Sequence, residues 1–330
     1  MSPSPEQRKP IVIMGATASG KTDLAVALAK LCGGEIISAD SRQVYQELSA
    51  GTAKPPGQWR PLPGGEHVYY HRDVPYHYVD FLDPRSSCDA GTFAEQAREI
   101  AAQAQGRGNP VIFAGGTGMY IQAYWNGMDS LPKRNPEIRS RLEELFAKNG
   151  NEKMHKQLCE VDPAAAEKIP PGNTQRILRA LEVHQITGQP LSKLWTGRFH
   201  CSLPVQKAVF AVLEWEKPLL RERITLRARA IFDAMREETS RLLDLGYPQD
   251  CPALKSIGYP QMIDHLQGKA DRTQTLHEII SSTQAYAKRQ GTWFRRYKNA
   301  VFIRVASPDS WNPEQEAGKL LALASAQLPA

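Results

Sequence analysis

Apolar residues follow two rhythms along the first 127 positions. Short unbroken runs at Ile11-Val12-Ile13-Met14, Ile36-Ile37 and Val111-Ile112-Phe113-Ala114 have the length and β-branched content of buried strands. Between the first two, Leu24, Ala27, Leu28 and Leu31 recur at helical spacing, and the pattern closes at Gly33-Gly34, as a helix C-terminus does. Residues 90–104 repeat the helical rhythm, 78–82 predict a further strand, and 54–65, rich in proline and glycine, predict a loop. Strands alternating with helices imply a parallel sheet covered on both faces. From 136 to 187 the rhythm is helical only (Ile138-Leu142-Leu145, Met154-Leu158, Ile177-Leu181), broken at Asp162-Pro163 and Pro170-Pro171-Gly172. Strand-like alternation returns over 205–213, long helical patterns run over 218–245 and 273–298, and Val301-Phe302-Ile303 predicts the last strand. The expected architecture is α/β: a parallel sheet flanked by helices, built from 1–127 and 201–330, with 128–200 inserted as an all-helical subdomain.

The first strand runs into Gly15, Ala16, Thr17, Ala18, Ser19, Gly20, Lys21 and Thr22, a glycine loop that opens a helix. Successive amides of such a loop curl around phosphate oxygens while the helix N-terminus directs partial positive charge at them. Lys21 then reaches the outer phosphates and the Thr22 hydroxyl suits Mg²⁺. The motif makes the expected sheet P-loop NTPase-like and alone reads as ATP-binding, yet it is silent on what the phosphates are attached to. In a parallel sheet, functional groups gather beyond the C-terminal strand ends, where this loop, Asp40 and the Gly115-Gly116-Thr117-Gly118 turn all fall. Asp40 suits a general base or a water-mediated metal ligand, and equally a helix N-cap. Thr117 suits a cap as well as a donor to the same cleft. Asp83, before Pro84, is a second acidic candidate for the metal, although a role at the loop suits it better.

Composition narrows the setting. The five cysteines are scattered with no Cys-x-x-Cys pair, so neither a disulfide framework nor a zinc site is indicated. The start of the chain lacks the apolar run of a signal peptide and no segment approaches bilayer length, which together point to the cytoplasm. A net charge of +6 favours a polyanionic partner. The cations concentrate between Ser281 and Asn299, a stretch with no acidic residue: Lys288, Arg289, Arg295 and Arg296 read as one solvated stripe for a phosphate backbone, with Tyr286, Trp293 and Tyr297 turned to the core. Arg176, Arg179, Arg221, Arg223, Arg227 and Arg229 add to them. A phosphate loop with a basic, RNA-sized footprint leaves two classes open: a phosphoryl-transferring kinase or NTPase, and a transferase that holds a leaving diphosphate.

Eight blocks taken together resemble one family, the bacterial tRNA dimethylallyltransferases, or IPP transferases. They lie at 15–22, 38–45, 51–55, 79–84, 115–123, 175–183, 256–262 and 287–296, in the family's order across nearly the whole chain. The resemblance implies transfer of a dimethylallyl group from dimethylallyl diphosphate to N6 of the adenosine 3′ of the tRNA anticodon, with Mg²⁺ as cofactor. It makes Asp40 the base, with Lys21 and Arg223 stabilising the departing diphosphate. It assigns tRNA contacts to Asp40, Ser41, Arg42, Gln43, Thr117, Arg139, Gln175, Arg176, Ile177, Leu178 and Arg179, and phosphate contacts to the cations of 288–296. The target base would leave the anticodon-loop stack, and the helical insertion would clamp the stem. A monomer suffices, since one chain carries every block. The chain departs from the family pattern in a longer 55–79 stretch and in Pro171-Gly172-Asn173, where an Asn-Asp pair is common. It also stops soon after Val305 without the zinc-finger extension of eukaryotic relatives, which suits the bacterial type.

Overall fold

The structure, a computed structural model, describes residues 9–62 and 65–326. They divide into two compact units, a sheet unit to either side in sequence of a helical unit, Asn126–Cys201. With β3 at Gln58–Pro61 and β4 at His67–His71 on one edge, the sheet has the strand order β3-β4-β5-β2-β6-β1-β7-β8. Its parallel part consists of β1 (Ile11–Gly15), β2 (Glu35–Ser38), β5 (Val74–His77), β6 (Val111–Gly115), β7 (Val209–Trp215) and β8 (Val301–Val305). The fully buried strands are the continuous apolar runs of the sequence, as expected where helices cover both faces. Val12, Ile13, Met14, Ile36, Ile37 and Phe113 expose nothing. Burial of each large side chain among them contributes roughly 1.5–3 kcal/mol.

Helix α1 (Lys21–Cys32) packs its Leu24–Leu28 face on the sheet and ends at Gly33 in the left-handed conformation. Helices α2 (Ala90–Gly106) and α3 (Gly118–Asn126) follow β5 and β6. Helix α7 (Lys217–Asp244) buries Ile224, Ala228, Phe232, Met235, Thr239 and Leu242, at the three- and four-residue spacing of one face. Helices α8 (Tyr259–Leu266) and α9 (Arg272–Phe294) pack against it. The C-terminal α10 (Pro313–Ala326), which no sequence pattern above had singled out, lies on α1 and buries Ala317, Leu320 and Ala324. No described helix is long and apolar enough to cross a membrane.

The edge of the sheet differs from expectation. The 54–65 loop contains β3 (Gln58–Pro61), which pairs antiparallel with β4 (His67–His71), and β4 turns into β5. The strand expected over 78–82 lies earlier, at β5, because Tyr78 and Asp80 take positive φ values of 60° and 56° that end an extended chain. Alternation failed to mark β3 because the strand is an exposed edge with no buried side to encode.

At the start of β2, the end away from Asp40, Glu35 is 1% exposed and forms a polar knot. It accepts from Arg107 Nε (2.9 Å) and Nη2 (2.8 Å) and from Asn109 Nδ2 (2.8 Å), and it bonds His77 Nε2. Burial alone would raise its pKa; the bonds from His77, Arg107 and Asn109 outweigh that and bring it to about 2.

The helical unit consists of α4 (Pro136–Val161), kinked at Gly150, with α5 (Pro163–Lys168) and α6 (Thr174–Thr187). Asn135, Asp162 and Asn173 cap the three helices through their side chains. Its own core gathers Leu142, Met154, Leu158, Ile177, Leu181 and neighbours.

Candidate active site

The loop after β1 holds its shape through its own residues and α9. Gly20 sits at φ 91° and Ala18 at φ 61°, the left-handed turns that aim consecutive amides inward. Gln290 of α9 straps the loop to the turn after β6: its Oε1 accepts from Thr17 N (2.8 Å) and its Nε2 donates to Gly116 O (2.9 Å). The strap requires glycine at 116, since a Cβ there would lie 2.2 Å from Gln290 Nε2.

Lys21 Nζ donates to Ala16 O at 2.9 Å. Burial pulls its pKa down to about 8; the Asp40 carboxylate opposes the fall and the Arg227 guanidinium adds to it. Thr22 shares a hydrogen bond with the buried Tyr76 phenol. Arg223 lies over the Trp215 ring at 4.2 Å and donates through Nε to Ala18 O at 2.8 Å.

Asp40 follows β2 and lines the same cavity as Lys21, a space of about 420 Å³. Its Oδ1 accepts the Arg42 amide (2.9 Å), an Asx-type turn that aims the carboxylate. Among the described residues that amide is the one hydrogen-bond donor to it. No helix begins directly after Asp40, so the N-cap reading falls: one oxygen shapes a turn while the residue lines the cavity. Thr117 Oγ1 accepts from Ser41 N (3.1 Å) and thus ties the turns after β2 and β6 together. Gln43 is buried, bonded to Ser38 Oγ and Ala53 O. Asp83 is engaged by the Arg85 amide and guanidinium and does not line the cavity, so it is no candidate for a metal there.

Two placements differ from the sequence reading. Arg227, counted there only as one of several cations, lines the cavity, whereas Arg223 does not. Arg227 Nη1 donates to Thr17 Oγ1 (3.2 Å) and Nη2 to Gly51 O (3.5 Å). Burial lowers its pKa, opposed by Asp40. The signal available in the sequence was its spacing, one helical turn after Arg223 on a helix that follows a buried strand. The cations of α9, moreover, do not form one stripe. Arg289 lines the cavity beside Asp40, Lys288 and Arg295 line a second cavity of about 490 Å³ with Lys217 and Arg221, and Arg296 stacks over Trp293 at 4.7 Å. A helix places residues 288 and 295, seven apart, on one face and turns 289 about 100° away from it, so clustering in sequence did not become one cluster in space.

In the helical unit, Gln175 and Arg176 are exposed at the start of α6. Arg139 Nη2 donates to Gln175 Oε1 (2.6 Å), and Arg179 is held by Glu182 and Pro132 O. Ile177 and Leu178, expected at the RNA, are 0% and 2% exposed and belong to the core of the unit. Their side chains pack; they are not a contact surface.

Part of the cavity lining is apolar: Ile224, Ala228, Ile231 and Met235 form a stripe of α7 along it, together with Ile257 and Ile279. One pocket thus joins an anion cradle, a carboxylate and an alkyl-sized lining. A family model for IPP transferase matches residues 43–297, and a second, for isopentenyl transferase, matches 9–70. The chain belongs to the IPP transferase family. Together the two matches take in the glycine loop, Asp40, Thr117, Arg227 and Gln290. Relatives in the family include the tRNA dimethylallyltransferase of Elusimicrobium minutum, 45% identical over 92% of this chain and 96% of its own length. That of Myxococcus xanthus is 40% identical over 88% and 91%. Among solved structures, the tRNA isopentenylpyrophosphate transferase of Bacillus halodurans superposes with a TM-score of 0.66 at 29% identity, covering 97% of this chain and 96% of that one. A eukaryotic dimethylallyltransferase solved acting on tRNA gives 0.75 at 23% identity, covering 97% and 80%, and bears on the fold alone.

Proposed function

We propose that this protein transfers the dimethylallyl group of dimethylallyl diphosphate to N6 of the adenosine 3′ of the anticodon in tRNA, releasing diphosphate. The observation that carries the reading is Asp40 in one cavity with the glycine loop, Lys21, Arg227 and the apolar stripe of α7. The loop is of the P-loop NTPase type, here holding a leaving group. The N6 lone pair forms a bond to the allylic C1 as the C1–O bond breaks. The bonding pair leaves with the diphosphate, and the N6 proton passes to Asp40. Charge develops on the diphosphate oxygens, where the loop amides, Lys21 and Arg227 stand ready, with Arg223 supporting the loop from outside the cavity. Mg²⁺ fits the donor set: Thr22 supplies a hydroxyl, and no cluster of three or more His, Cys, Asp or Glu among the described residues offers a full protein cage. Such an ion keeps water and substrate phosphates as its other ligands. Bound there, it would neutralise charge on the leaving diphosphate.

The flipped base enters from the side of Asp40, Ser41, Arg42, Gln43 and Thr117. The exposed Gln175 and Arg176 of the helical unit, with Arg139 beside them, take the anticodon stem-loop, and Lys288, Arg289, Arg295 and Arg296 take phosphates. The protein acts in the cytoplasm as a monomer.

The test combines the protein with labelled dimethylallyl diphosphate, Mg²⁺ and unmodified tRNA. Label appears in tRNA, and Asp40→Asn lowers the rate by about 10²–10⁴-fold, the usual contribution of a general base, with tRNA affinity kept. No label in tRNA, with phosphate released from ATP instead, refutes the reading in favour of a kinase or NTPase.

A further inference from the structure

Glu238 lies on α7 outside the cavity, three helical turns beyond Arg227. Its Oε2 accepts two consecutive amides, Ser49 N at 2.6 Å and Ala50 N at 3.1 Å, and its Oε1 accepts the Tyr259 hydroxyl. Tyr259 is 0% exposed, and burial raises its pKa well above 10, so the phenol stays a donor. Its ring lies against the next residue of the loop: a Cβ at Gly51 would come within 2.6 Å of Tyr259 Cε2. One helical turn further along α7, Arg241 pairs with the Glu47 carboxylate and donates to Glu47 O (3.1 Å). The 47–51 backbone is therefore fixed to α7 at both ends. Gly51 O, fixed in this way, accepts from Arg227, whose other terminal nitrogen holds Thr17 Oγ1. Because Thr17 N is already bound by Gln290, Arg227 is the second hold on that residue of the glycine loop.

We propose that Glu238 is a positioning residue of the donor site: by fixing the 49–51 backbone it sets the carbonyl that keeps the Arg227 guanidinium on the phosphate loop. The proposal rests on the cavity being the donor site, as read above. A carboxylate is needed because three donors converge on it, and an ionised carboxylate accepts at both oxygens without presenting a proton. The side-chain amide introduced by Glu238→Gln would turn an NH₂ towards either the backbone amides or the phenol.

The experiment uses the full chain with Glu238→Gln, alone and combined with Arg227→Gln, and varies dimethylallyl diphosphate at saturating tRNA. Donor KM rises about ten-fold in the single variant, the factor expected for one lost charge-assisted hydrogen bond. tRNA Kd stays within about two-fold, and in the Arg227→Gln background Glu238→Gln adds less than about two-fold, since the group through which it acts is gone. Three results overturn the proposal: an unchanged donor KM, the same factor in both backgrounds, or an equal rise in tRNA Kd. Tyr259→Phe, which removes one of the three donors and leaves the ring on Gly51, raises donor KM by about three-fold on the same logic. It decides the question by the same criteria if Glu238→Gln does not fold. Failure of the underlying functional reading is separate, because the wild-type chain would then put no dimethylallyl group on tRNA.

Discussion

The depressed pKa of Lys21 makes donor binding depend on pH in a defined window. In the free site the ammonium titrates near 8 instead of 10.5 because burial strips its water. About nine-tenths of the molecules carry the charge at pH 7 and about one-tenth at pH 9. A diphosphate oxygen at contact distance is worth about 4 kcal/mol to the ammonium at an effective dielectric of 20, which carries the bound lysine back above pH 10. Binding therefore takes up a proton at any pH between the two values. The donor's terminal phosphate, with a pKa of about 6, is fully ionised throughout. Affinity for dimethylallyl diphosphate is flat below pH 7.5 and weakens about ten-fold from pH 7 to pH 9. Titration calorimetry at pH 9 in two buffers of different ionisation enthalpy reads the proton directly: an uptake of about 0.9 in the wild type and none in Lys21→Met. Zero uptake in the wild type, or the same uptake in Lys21→Met, refutes the assignment. The same shift acts on the free protein with the opposite sense. The unfolded chain keeps the lysine proton up to 10.5, so this group makes stability rise with pH between about 8 and 10.5.

Gln290→Ala leaves Thr17 N and Gly116 O without their partner, which costs about 1–3 kcal/mol in thermal melts and raises donor KM; an unchanged donor KM means the strap does not shape the loop. Glu35→Gln, by contrast, touches no site residue and costs about 3–5 kcal/mol in urea unfolding at pH 7, since it breaks a buried ion pair. In the wild type the stability owed to Glu35 is full above pH 4.5 and lost as pH falls towards about 2. The variant loses that part of the acid slope, and an unaltered slope counts against the knot.

The glycine loop, Asp40 and Thr117 were legible in the sequence because each sits at the end of a buried parallel strand, and such strands write themselves as unbroken apolar runs. Their place beyond the C-terminal ends followed from the fold class alone. Helices α4 and α6 were legible for a related reason, their periodic apolar faces. The edge hairpin was hidden: β3 is exposed, and β5 carries a proline, so neither shows the alternation of a half-buried strand.

What the sequence could not rank was its arginines. Arg223 and Arg227 share a face of α7 one turn apart, and only the packing of α7 against the glycine loop decides which lines the cavity. Gln290 is 273 positions from Thr17, and Glu238 is 189 from Ser49, so no local pattern announces either bond. Periodicity records whether a residue faces the core or water, a one-body property of each position. Which polar group meets which is a property of pairs brought together by the fold. The sequence by itself determined that a glycine loop and a carboxylate stand at the C-terminal ends of strands in one parallel sheet. The tertiary structure alone decided which cation lines the cavity with them and which distant side chains hold the loop in shape.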